Sequence, residues 1–210
     1  MASPSTDQPS AATPSATDLV RGADGLARCW WPGDDPDYVA YHDTEWGVRT
    51  RTDWDDPALF ELLVLETFQS GLAWITILRK RDNFVRAFEG FDPATVAGWG
   101  DDERARLLAD AGIVRNRAKV DATLGNARAV VALQDAGTSL VDVVFDAAPT
   151  TSAARPRTRD DVPATTPEST ALARDLKACG FAFVGPTVAY ALMQSAGVVD
   201  DHLVGCHVVA

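Results

Sequence analysis

The chain has 210 residues, 46% of them hydrophobic and 23% charged, the balance of one ordinary globular domain with a sizeable core. That composition excludes collagen-like, disulfide-scaffold and wholly disordered classes. The net charge of −11 argues, on a bulk view, against a nucleic-acid partner.

Residues 1 to about 25 are mostly Ala, Ser, Thr, Pro and Asp, with almost nothing large to bury. A disordered tail is expected over 1–25 and one domain over 26–210. No basic segment followed by an apolar one opens the chain, and three widely spaced cysteines make no secreted disulfide framework. A cytoplasmic location is therefore expected. From there the punctuation is helical, with no convincing run of strands. Asp56-Pro57, Asp92-Pro93 and Thr166-Pro167 each set a capping residue before a proline at a first helical position. Asp102 is expected to cap a segment ending at Ala111-Gly112. Asn116 opens a long helix through Val120, Leu124, Ala127 and Val131, spaced by three and four residues. Ser139 and Asp142 form a capping-box pattern. A stretch from about Ala147 to Thr166, rich in Pro, Thr, Arg and Asp, reads as a long surface loop inside the domain. Phe181 to Val199 carries no charge, but Gly185-Pro186, Gln194, Ser195 and Gly197 interrupt it. It reads as a loop and a buried helix, not a membrane span. The expected fold class is all-α, roughly seven to ten short helices.

Four side chains at the two ends of the domain suit a metal. Cys29 and His42 lie near its start; His202 and Cys206 lie at its end, spaced i, i+4, on one helical face or across one tight turn. Two thiolates and two imidazoles are the ligand set of a closed tetrahedral zinc site, structural because no position is left for water. Buried core cysteines with no metal answer to the same spacing. His207 is a competing ligand, and Cys179 is expected as a packed free thiol.

Two further features carry chemistry. Around Gly112 a helix, a glycine turn and a second helix follow one another, and Gly112 suits the left-handed position that ends a helix. Arg115, Arg117 and Lys119 crowd the start of the second helix, where free amides and the positive dipole end attract a phosphate. An ordinary hairpin with a solvated charged face explains the same residues. Residues 79–86 are also locally basic, and with a Debye length of ~8 Å a local face outweighs distant acids. In the apolar helix from about Asp56 to Ser70, Glu66 falls on the stripe of Leu59, Leu62 and Leu63, with Gln69 and Ser70 beside it. A buried carboxylate needs a partner, either a ligand in a pocket or a neighbouring helix end. Trp30, Trp31, Tyr38, Tyr41, Trp46 and Trp74 surround it in sequence, and a flat aromatic beside a carboxylate holds an electron-poor ring.

Taken together these segments resemble the DNA-3-methyladenine glycosylase I family, of the helix-hairpin-helix superfamily. The resemblance lies in Cys29-Trp30-Trp31, Tyr38–Val48, Leu65–Trp74, the hairpin, Gly125–Arg128, Gly180–Gly185 and Asp201–Cys206, from Arg28 to Cys206 in order. It implies a structural Zn2+ held by Cys29, His42, His202 and Cys206. It implies a base pocket in which Glu66 and Tyr41 hydrogen-bond the lesion, Trp74 stacks on it and Trp46 forms a wall, with Glu66 the catalytic residue. Gln69, Gly71 and Leu72 would probe the gap left by the extruded base, and Gly112, Arg115, Arg117 and Lys119 would hold the backbone. The implied partner is double-stranded DNA carrying alkylated adenine, with no membrane and no obligate protein partner. Asp142 lies near the distance at which many such glycosylases place a catalytic aspartate, but its capping role fits better. A helical module that binds damaged DNA without cleavage would keep the hairpin and the zinc and lack the chemistry.

Overall fold

The computed structural model describes residues 18–151 and 154–209. Among these the architecture is helical, with one small two-stranded hairpin. β1 (Leu19–Arg21) pairs antiparallel with β2 (Ala27–Cys29), Leu19 opposite Cys29. Residues 18–25 thus belong to the folded body and not to the tail expected over 1–25, whose remainder lies outside the described residues. The reason is local: the turn at Gly25 and the contact of Leu19 with Cys29, Leu203 and Cys206 bury a short segment that looks featureless in composition.

Ten α-helices follow. α1 (Pro36–Thr44) starts at Pro36 and is capped by Asp35. α2 (Asp56–Gln69) is capped by Asp55, one residue ahead of the expected Asp56. Asp56 instead turns inward, where its carboxylate accepts from Gln134 Nε2 at 2.7 Å and Val141 N at 3.2 Å. α3 (Trp74–Leu78), α4 (Arg81–Ala87) and α5 (Pro93–Ala97, capped by Asp92) are short. α6 (Asp101–Ala109) starts after Gly100, so Asp102 lies within its first turn instead of capping it. Three acids there favour the positive end of the helix. α7 (Arg117–Asp135) opens at Asn116, as the spacing predicts. α8 (Leu140–Phe145) has the Ser139–Asp142 capping box. α9 (Pro167–Ala178) is capped by Thr166, and α10 (Pro186–Ala196) ends in Gly197 at φ +82°. No helix among the described residues is long and apolar enough to cross a membrane.

α2 is the hub. Its apolar residues leave no polar face, so it is buried on nearly every side and packs against α3, α5, α7, α8 and α10. Phe60, Phe68, Phe84, Phe88 and Phe91 fill the centre of the core. A second, smaller cluster of Cys29, Leu203, Cys206 and Val208 joins the two ends of the domain. His207 N there donates to Ala27 O at 2.8 Å. Cys179, expected to be packed, is exposed at the C-terminal end of α9.

Candidate active site and metal centre

The C-terminal end of α2 and the last turns of α10 meet beside α1 and leave a cavity of about 260 Å³. Tyr41, Trp46, Glu66, Gln69 and Trp74 all line it. Each owes its place to a local device. Tyr41 sits on the buried side of α1, Glu66 and Gln69 are three residues apart on α2, and Trp74 begins α3 after a turn made by Gly71 at φ +83°. Leu72 lies at the tip of that turn and is exposed.

Glu66 is only 3% exposed. Its Oε1 accepts a hydrogen bond from Ser195 Oγ at 2.8 Å, and among the described residues its carboxylate has no other protein donor. Burial disfavours the charged form and raises the Glu66 pKa to about 7, with the Ser195 hydroxyl opposing it. Tyr41 is held above the ordinary tyrosine range, first by burial and then by the charge of Glu66, so it remains a neutral hydroxyl. Trp74 packs on Tyr41 with ring centroids 5.3 Å apart, and its buried Nε1 has no partner among the described residues. A neutral donor, a carboxylate of adjustable charge and two indole faces are arranged to receive a flat, polar ring.

Behind this wall lies the cluster at the domain's two ends. The ligand atoms of Cys29, His42 and Cys206 lie within 4.8 Å of one another, all buried. His202 stands next to them, its ring centroid 5.2 Å from that of His42. It is reached across the turn of residues 201–206, not along a helix. Its Nδ1 meets Asp200 Oδ1 at 3.0 Å, whereas its Nε2 is buried without a partner. His42 is held in the same way, with Nδ1 2.8 Å from Asp43 Oδ1 and Nε2 turned to Cys206. An imidazole oriented by a carboxylate on one nitrogen presents the other to the cluster, an arrangement that suits a metal ligand. The thiols are unequal: the hydrogen bond between them pushes Cys29 up and pulls Cys206 down. This donor set fits a tetrahedral zinc ion. His207 is not among those four; its Nε2 meets Asp43 Oδ1 at 3.0 Å. Trp46 lies face-on to His42 at 6.2 Å and edge-on to His202 at 4.7 Å, which couples the cluster to the cavity wall.

The hairpin is present with changed roles. α6 and α7 are joined by residues 110–116. Gly112 does not occupy the left-handed region. Its need for glycine is steric, because a Cβ there would lie 2.9 Å from Asp110 Oδ1 and 3.3 Å from Asn83. Lys80 Nζ and Asn83 Nδ2 both hold Gly112 O, at 3.0 and 3.2 Å. Arg115 and Arg117 are exposed at the start of α7. Lys119 is not. It is 6% exposed and donates to Phe68 O at 2.9 Å and Ser70 O at 2.7 Å. It caps the C-terminal end of α2 instead of meeting solvent, because the first turn of α7 faces inward at that position. Most cations of residues 79–86 are likewise engaged: Arg79 with Asp35, Arg81 with Glu45 and Glu61, Arg86 with Asn83. The basic face is therefore narrower than composition suggests.

Sequence patterns missed Ser195, Gln194 and Asp201 as lining residues, together with Val162 from the long loop. Gln194 and Ser195 carried a signal, as adjacent polar residues near the end of a largely apolar helix. Asp142 is half-buried, pairs with Arg51 and belongs to the capping box of α8, away from the cavity.

Residues 31–209 match the methyladenine glycosylase family model. The chain is 44% identical over 184 residues to DNA-3-methyladenine glycosylase 1 of Escherichia coli K12, covering 86% of this chain and 96% of that protein. It is 39% identical to DNA-3-methyladenine glycosylase of Haemophilus influenzae, covering 85% and 96%. Among solved structures, a crystal structure of 3-methyladenine DNA glycosylase I superposes with a TM-score of 0.81 at 43% identity, over 86% of this chain and 98% of that one. The Staphylococcus aureus 3-methyladenine DNA glycosylase I, studied for its recognition of 3-methyladenine, superposes at 0.77 with 32% identity, over 82% and 91%.

Proposed function

Because this chain belongs to the methyladenine glycosylase family, we infer that it repairs DNA by hydrolytic removal of 3-methyladenine from alkylated duplex, leaving an abasic site. The observation that carries this reading is a cavity shared by a buried carboxylate, Glu66, and an indole, Trp74. Inside a duplex the target is stacked, so its nucleotide must be extruded at about a few kcal/mol. Adenine methylated at N3 is cationic in its nucleoside. Trp74 stacks on that ring, Glu66 and Tyr41 hydrogen-bond its edge, and Trp46 supplies a wall. As the bond from C1′ to N9 breaks, its electron pair moves onto the base, which leaves neutral. The positive charge passes to the sugar, water adds at C1′, and the water's proton goes to solvent. Because the base departs uncharged, little general-acid help is required. The role of Glu66 is recognition of the cation and electrostatic support as charge moves toward the sugar. Among the described residues no lysine lines the cavity, so no Schiff base is expected and the strand is left uncut.

The remaining assignments rest on geometry of the same kind. The α6–turn–α7 unit supports a helix-hairpin-helix that holds a phosphate at the start of α7, with Gly112 keeping the turn tight and Arg115 and Arg117 flanking it. Exposed Leu72, with Gln69 and Gly71, is suited to fill the gap in the duplex. Cys29, His42, His202 and Cys206 would hold a structural zinc ion, which supplies a cross-link between the domain's ends and supports the wall at Trp46. The orphaned Nε2 of His202 supports that reading.

Incubating the protein with methylated duplex and separating the released bases tests the activity. Free 3-methyladenine with strands intact until alkali is the expected result. Tight binding of methylated duplex with no free base would establish the non-catalytic module instead.

A further inference from the structure

We propose that Ser195 is a positioning residue for the base-recognising carboxylate, holding Oε1 of Glu66 so that Oε2 is the oxygen offered to the lesion. This rests on the excision reading above.

Two sets of contacts support it. The first fixes the hydroxyl itself. Ser195 is 5% exposed and lies one residue from the end of α10. Its carbonyl accepts from Gly47 N at 3.3 Å, and the next carbonyl, Ala196 O, accepts from Trp54 Nε1 at 3.0 Å. Gly197, at φ +82°, then lets the segment around Arg49 approach so closely that a Cβ would lie 2.1 Å from Arg49 O. The last turn of α10 is thus clamped to residues 47–54 on three successive residues. A hydroxyl carried on such a turn is set before any ligand arrives, the condition for a positioning group.

The second set concerns what else faces Glu66. From α1 come Tyr38 and Tyr41, both held above the ordinary tyrosine range by burial and so neutral. From α2 itself comes Gln69; from α10 and the segment after it come Gln194 and Asp201. Asp201 accepts from Tyr190 and Gln194. Beyond Tyr41, Arg81 is paired with both Glu45 and Glu61. Among the described residues, no cation is committed to Glu66. Burial raises its pKa, and the Ser195 hydroxyl is the one contact that works against burial. In the free protein this single hydrogen bond sets both which oxygen is available and how far into the neutral range the carboxylate stays ionised.

The test is Ser195→Ala, which removes one oxygen and creates no bulk. Two readouts are taken on the full chain: kcat/KM for base release between pH 5.5 and pH 9, and the carboxyl ¹³C titration of Glu66 in the free protein. With the hydroxyl gone, burial acts alone, and the midpoint of the Glu66 titration and the acid limb of kcat/KM both move up by about one pH unit. Base release then falls roughly tenfold at low pH and recovers at high pH, the ratio following from that shift. A variant profile that superimposes on the parent, or one lowered equally at every pH with an unchanged Glu66 midpoint, would overturn the proposal. If the parent itself released no base, the excision reading would fall while the ¹³C midpoints still decided whether Ser195 governs Glu66.

Discussion

Glu66 shows how one side chain trades stability for recognition. Its pKa in the folded protein is about 7, against an ordinary 4.5, so the folded state binds more protons than the unfolded chain between those values. Stability therefore falls as pH rises from about 4.5 to about 7 and is flat with respect to this group above that range. The full effect is on the order of 3 kcal/mol. Glu66→Gln removes the titration while keeping a hydrogen-bonding side chain. Thermal melts from pH 4.5 to pH 8 should show the variant gaining on the parent as pH rises, up to about 7. A constant difference across that range would mean that Glu66 is not held in a low-dielectric site. A cationic base entering the cavity supplies the counter-charge that the free protein lacks, so the strain is relieved only by the intended guest.

At the scale of elements, the hairpin and the end of α2 are one construction, joined by Lys119. The sequence shows three cations near the start of α7, and nothing in their spacing separates Arg115 and Arg117, which face solvent, from Lys119, which caps carbonyls of another helix. That distinction depends on how α7 lies against α2, a tertiary fact. The helix starts were more legible. Asn116, Ser139, Asp92 and Thr166 cap as their patterns indicate, because capping is local. The cap of α2 moved from Asp56 to Asp55 only because Asp56 found partners on α7 and α8. Lys119→Met should destabilise the fold by about 1–3 kcal/mol, from two carbonyls left without their donor, with the salt slope of DNA binding unchanged. Arg115→Ala should leave the melting temperature in place and reduce that slope by about one. Melting curves beside binding isotherms at several salt concentrations check both, and an exchange of the two outcomes would return Lys119 to the DNA face.

For the whole molecule, the sequence made the helical class and most of the cavity readable, since Tyr41, Trp46, Glu66 and Trp74 belong to motifs close together in the first half of the chain. The far wall was not readable, because Ser195 and Asp201 reach the cavity only by packing of α10 on α2 across more than a hundred residues. The hairpin of β1 and β2 was missed for the same reason: its stability comes from Leu203 and Cys206 at the other end of the chain. Removing metal with a chelator should lower the melting temperature by several degrees and weaken base release through the wall at Trp46, with both restored by added zinc. Unchanged melting with and without chelator would reduce the four ligands to core residues.

The joining of residues 29 and 42 to residues 202 and 206 bears on how the chain is made. A ribosome adds about 5–20 residues per second, so His42 emerges roughly ten to thirty seconds before His202 exists. Through that interval Cys29 and His42 lack the partners they meet in the folded domain. A chain cut short before residue 202 would leave Cys29 without Leu203 and Cys206, the residues that complete the smaller core at the other end of the domain.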